Sequence, residues 1–173
     1  AVSGYSGGGK AMIEEFEKKD SPHYVETVVR SYGLTLSHKH VAEMQVHGGL
    51  AHPPVFLPSV GRYYRGMIVE VPLQLWALPG KPSVSDLQRT LEAAYDKAQL
   101  VKVSRAAESA AMKTVDAELL KERNDMRLFV FGNEKTQQAR LVAVLDNLGK
   151  GAGGAAVQNL NLMLGLAETE GLL

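Results

Sequence analysis

Apolar and polar positions alternate most clearly in "GMIVEVPLQLW", where Met67, Val69, Val71, Leu73 and Leu75 fall on one face. Ile68, Glu70, Pro72, Gln74 and Trp76 fall on the other. This period of two predicts a long half-buried strand over 67–75. Pro72 cannot donate to a ladder, so its side of the strand is expected to be an edge or a bulge. The period changes in "SVSDLQRTLEAAYDKA", where Leu87, Leu91, Tyr95 and Ala98 make one helical stripe. Ser83 and Asp86 have capping-box spacing there, with Asp in place of the usual Glu or Gln. "LVKVS", "MRLFVFGN" and "ARLVAVLDNL" read as three further strands, and "YVETVVRSYGL", β-branched and aromatic, as another. "AMIEEFEKK" reads as a short helix with acids early and lysines late, as the helix dipole favours. The glycine-dense opening, "AVSGYSGGGK", reads as a turn or loop. The last stretch closes as a helix with Val157, Leu160 and Leu164 on one side. Together these predict an α+β fold: a mixed, largely antiparallel sheet with covering helices.

Composition narrows the partners. The formal net charge is zero, which argues against a nucleic acid, because phosphate neutralisation needs a basic surface. No apolar run reaches the length of a membrane span and no signal peptide is visible. The chain has no cysteine, hence no disulfide, no thiolate nucleophile and no cysteine-bound zinc of its own. It starts at Ala1 rather than Met, which suggests a fragment or a processed product.

Three stretches carry candidate chemistry. Gly4 to Lys10 has the G-x-x-x-x-G-K spacing of a phosphate loop, but Ala11 stands where a magnesium-binding hydroxyl is needed. A generic anion cradle of free amides with a lysine is the better reading. In "LSHKHVAEM", a strand or loop ending at His40 with a helix starting at once would put Glu43 beside His40, a pair suited to acid–base work. His47 and His52 are close in sequence, but no spacing of metal ligands is present, so no metal is expected. Gly149, Gly151, Gly153 and Gly154 crowd a helix start, where glycine costs stability. Close approach to a ligand and close packing are equally good explanations, and the pattern is not the dinucleotide fingerprint.

The stretches "AVSGYSGGGK", "LSHKHVAEMQ", "YYRGMIVEVPL", "FGN" and "ARLVAVLDNLGKGAGGAAVQNLNLMLGL", in this order, resemble the C-terminal part of the N-acetyl-gamma-glutamyl-phosphate reductase family, in its shorter bacterial variety. The resemblance spans nearly the whole chain; residues 79–123 carry little of it. It implies a fold like the C-terminal domain of glyceraldehyde-3-phosphate dehydrogenase, with residues 1–173 as a substrate-binding and dimerisation domain. Residues 150–166 would be a helix packing on an NADP-binding domain that lies outside this chain. It implies a cytoplasmic, NADP-dependent oxidoreductase of arginine biosynthesis acting on a small acyl phosphate through a cysteine thioester. By position in the family motifs His40 is the acid–base group, His38 the runner-up, and Glu43 the carboxylate that orients the ring or the substrate. Ser3, Gly4, Ser6, Gly7 and Lys10 match the substrate cradle. Arg65 is a candidate for an anionic group, with a structural salt bridge equally weighted. Gly151, Gly153, Gly154, Gln158 and Asn159 match the stretch approaching the nicotinamide. The chain alone should be inactive, lacking both the cysteine and the dinucleotide domain.

The alternative is a dimerising or binding module without catalysis. A homodimer is expected in either case, with Ile68, Trp76 and nearby apolar side chains offered as the shared face.

Overall fold

The computed structural model describes residues 1–173, in two compact units, 1–64 and 65–173. The first contains β1 (Val2–Gly4), a 3-10 turn (Tyr5–Gly8), α1 (Gly9–Glu17), β2 (Val29–Ser31), α2 (Lys39–His47) and β3 (Ser59–Gly61). Its strands lie in the order β2-β3-β1, with β2 antiparallel and β1 parallel to β3. Each is only three residues long, so side-chain packing rather than the ladder must hold this unit. Phe16 of α1 is the centre, 3% exposed, with the Tyr5 ring stacked 5.0 Å away. The guanidinium groups of Arg62 and Arg30 lie 5.0 and 5.6 Å from its ring, close enough for cation–π attraction. Arg62 also donates to the carbonyls of Thr27 and Phe16, each at 3.0 Å, and of Val25, pinning the 16–27 segment.

Two expectations change here. The opening stretch is not loop throughout, because Val2–Gly4 pairs with Ser59–Gly61 and the helix begins at Gly9. The expected strand over 24–34 shrinks to Val29–Ser31, where β3 ends its partnership.

The second unit contains β4 (Met67–Gln74), a 3-10 turn (Leu75–Ala77), α3 (Val84–Tyr95), β5 (Val101–Val103), α4 (Ala106–Ala111), β6 (Met126–Asn133), β7 (Gln138–Leu145) and α5 (Gly154–Leu164) after a π-turn (Gly149–Gly153). The order is β4-β7-β6-β5, antiparallel except for the parallel β5–β6 pair. This is the mixed, largely antiparallel sheet with covering helices that the pattern predicts. Ser83 caps α3 in a full capping box with Asp86. Helices α3 and α4 pack on β6.

On one face of this sheet Phe129, Val142 and Val144 form a buried core with Leu120, and Ile68, Met112, Val115 and Phe131 pack against it. Ile68 therefore points into the core, and the proposed shared face is wrong in its side. The outward residues of β4 are those of the other parity: Val71 is 47% exposed, with Val69, Leu141 and Ala143 half-buried around it. Trp76 has left the strand for the 3-10 turn and is exposed. The register runs unbroken through the Pro72–Arg140 pair, so no bulge interrupts the β4–β7 ladder.

Candidate functional site

The imidazoles sit at the start of α2. Helix α2 begins at Lys39, earlier than expected, so His38 is its N-cap and His40 lies in its first turn. His38 Nδ1 accepts from the His40 amide at 3.2 Å, an imidazole doing the work usually given to Ser, Thr, Asp or Asn. The His38 ring is walled by Tyr32 at 5.8 Å, Phe56 at 5.3 Å and the His40 ring at 4.8 Å, all edge-on. His40 is more open, its side chain 50% exposed, and its Nε2 lies 4.0 Å from Glu43 Oε2 one helical turn on.

The opening stretch gives a second cluster. Gly4 and Ser6 are buried, Ser3 is half-buried, and Gly7 and Lys10 are exposed where α1 begins. Ser3 Oγ donates to the Gly4 carbonyl at 3.1 Å, and the amides of Tyr5 and Ser6 donate to the carbonyls of Tyr63 and Tyr64. The Tyr5 phenol, pushed up to about 12 by burial and by its bond to Glu17, stays a neutral donor.

The chain reaches these two clusters from opposite ends of β3. Strand β2 leads out to Tyr32 at the Ser59 end of β3, whereas β1 leads out to the Tyr5–Gly8 turn at the Gly61 end. Three-residue strands keep the two ends only about 7 Å apart along the sheet, at roughly 3.3 Å per residue.

In the second unit, Arg65 Nε lies 2.6 Å from Asp146 Oδ2, and Asp146 is completely buried. Asp146 also accepts from the amides of Glu122 at 2.6 Å, Leu148 at 2.8 Å and Gly149 at 3.0 Å. Burial pushes its carboxyl up, but the Arg65 guanidinium and these three amides outweigh it and hold the group below the usual carboxylate range. Arg65 is therefore a structural partner at Nε, and its side chain is only 22% exposed.

The candidate cofactor residues divide. A Cβ on Gly149 would lie 2.3 Å from the Arg123 carbonyl, and one on Gly154 would lie 2.3 Å from Asn124 Oδ1. These two glycines are explained by packing. Gly151 and Gly153 are exposed, with nothing nearer than 3.4 Å to such an atom, and their amides donate to the carbonyls of Asp146 and Leu148 at 2.9 Å each. Gln158 bridges Lys150 and Glu168, and Asn159 is exposed.

No three His, Asp or Glu side chains converge as metal ligands, and no helix is long and apolar enough to cross a membrane. A cleft of about 680 Å³ runs between residues 112–115 and the ends of β4, β6 and β7, walled by Pro72, Met112, Val115, Phe131 and Arg140. It holds none of the candidate residues.

A family model described as semialdehyde dehydrogenase, dimerisation domain, matches residues 1–147. The chain belongs to this family. Its relatives include N-acetyl-gamma-glutamyl-phosphate reductases from Brucella anthropi and Brucella ovis. Each is 53% identical over 165 residues, which is 95% of this chain and 53% of the relative. The chain spans about half the length of these relatives. Among solved structures, aspartate semialdehyde dehydrogenase II from Vibrio cholerae superposes with a TM-score of 0.61 at 14% identity, over 94% of this chain and 53% of that one. At that identity the likeness concerns the fold alone.

Sequence reasoning missed the walls of the His38 ring, Tyr32 and Phe56, and the anchoring roles of Arg62 and Asp146. The signal for Arg62 was available: an arginine within "GRYYRG", among aromatics, is placed for stacking.

Proposed function

We propose that residues 1–173 are the substrate-binding and dimerisation half of an N-acetyl-gamma-glutamyl-phosphate reductase, a cytoplasmic enzyme of arginine biosynthesis. The observation carrying this reading is 53% identity over 95% of the chain to reductases twice its length. A thiolate outside this chain attacks the acyl phosphate, releasing phosphate and leaving a thioester. NADPH, when bound, supplies the hydride that reduces it. His40 donates a proton to the developing thiohemiacetal oxygen and takes it back as that intermediate collapses, when the C–S bond breaks to release the aldehyde and return the thiolate. Glu43, at 4.0 Å, orients the His40 ring. Ser3, Gly4, Ser6, Gly7 and Lys10 supply amides, hydroxyls and a cation for the phosphate or carboxylate end of the substrate. By the resemblance Arg65 is a further candidate for an anionic group, through the part of its fork that Asp146 leaves free.

The outward face of α5 fits a role in holding the NADP-binding half. Leu160, Leu162, Met163 and Leu164 are between 52% and 83% exposed, an apolar surface that water does not favour. Val71 and its neighbours on β4 and β7 supply the face for a second copy, in keeping with the family's description as a dimerisation domain.

The test joins residues 1–173 in frame to the N-terminal half of the Brucella anthropi relative. Oxidation of NADPH with N-acetyl-glutamyl 5-phosphate is expected from the chimera and not from residues 1–173 alone. A folded chimera with no turnover would sink the reading in favour of a module without catalysis.

A further inference from the structure

We propose that His38 is a positioning residue locked in the neutral tautomer with its proton on Nε2, leaving His40 as the member of the pair that moves a proton. The inference rests on the acid–base reading above and assigns the two rings different roles. It starts from one bond. The His40 amide donates to His38 Nδ1 at 3.2 Å, and a backbone N–H can only donate, so Nδ1 must carry a lone pair and no proton. A neutral imidazole then keeps its single proton on Nε2. The cap residue itself is extended, with φ −81° and ψ 143°, as an N-cap should be, so the bond belongs to a regular helix start.

Two further features keep the ring in this state. Tyr32, Phe56 and His40 hold it edge-on from three directions, which restrains rotation of the ring into another arrangement. A proton arriving at Nδ1 would remove the acceptor and set a positive charge against the positive end of the α2 dipole. His38 therefore cannot serve as a base at Nδ1 without uncapping α2. From Nε2 it can still give a hydrogen bond. His40 bears neither restriction: its ring is half exposed and its Nε2 lies beside Glu43. His38 acts on catalysis by fixing the first turn of the helix that carries His40 and Glu43.

Histidine-labelled residues 1–173 test the tautomer directly by ring-nitrogen NMR. The expected result is a bare Nδ1 and a protonated Nε2 at His38; a proton on Nδ1 in the neutral ring would overturn the proposal. The positioning role is tested in the chimera. His40→Ala is expected to cut kcat by about a hundredfold or more. His38→Asn, whose side-chain oxygen can cap α2, should keep kcat about fivefold above His38→Ala, with KM nearly equal in the two. Equal kcat losses in the two His38 variants would overturn the capping role. Full activity in His40→Ala would instead overturn the acid–base reading, and the NMR result would stand apart from it.

Discussion

Arg65 and Asp146 meet 2.6 Å apart, joining the chain two residues before β4 to the residue just after β7, with the carboxylate fully buried. Asp146 is also the point to which the Glu122, Leu148 and Gly149 amides converge. Removing it leaves a cation and three amides without their acceptor. Asp146→Ala is expected to lower stability by about 3–5 kcal/mol, read as a fall in the urea midpoint. A change below about 1 kcal/mol, the scale of an exposed pair, would show that the pair is dispensable.

The same group sets an acid limit. Burial pushes the Asp125 carboxyl up, but two hydrogen bonds from Arg123, at 2.6 and 3.0 Å, bring it below the usual range, as the surroundings of Asp146 do there. A carboxyl whose folded value is depressed contributes fully above its ordinary value of 3.8 and loses that contribution as pH falls through the folded value. Urea midpoints should therefore drop steeply below pH 3.8 and be nearly level above about pH 5. Asp146→Asn should flatten the acid slope.

The glycines around the start of α5 should respond differently to a methyl group. Gly149→Ala would force a carbon onto the Arg123 carbonyl and is expected to cost about 1–3 kcal/mol. Gly151→Ala meets only ordinary contacts and should be neutral or slightly stabilising. In the chimera, Gly151→Ala should raise the KM for NADPH if, as the family resemblance implies, that backbone approaches the nicotinamide. Thermal melts of both variants, followed by kinetics of the second, check this.

The faces of β4 make opposite demands. Val71→Lys places a charge on an outward side chain and should shift the oligomer towards monomer in sedimentation, with the circular dichroism unchanged. Ile68→Lys buries a charge against Phe129 and Val144 and should unfold the second unit. An intact dimer in Val71→Lys would place the interface elsewhere.

The legible parts of the fold are those long enough to show a period. Strands β4, β6 and β7, of eight residues, and α3, of twelve, stand out from pattern and capping alone. Strands β1, β2 and β3 have three residues each, too few to establish an alternation, and pair only because Arg62 and Phe16 organise the loops around them. Alternation also splits β4 into two faces without saying which is inward, and both faces carry apolar residues; Leu120, far along the chain, decides it. His38 and His40 were found by their motif, but the cap was not, because imidazole is an uncommon N-cap. Arg65 offered two equal readings until Asp146 was seen beside it.

The contrast between three-rung and eight-rung ladders has a dynamic consequence. Amides in β4, β6 and β7 sit in long cooperative pairings and should be the last to exchange with deuterium, whereas those around β1, β2 and β3 need break few bonds to open. The histidines ride on the part of the chain that breathes. Gentle heating should therefore silence proton transfer while the large sheet is still standing.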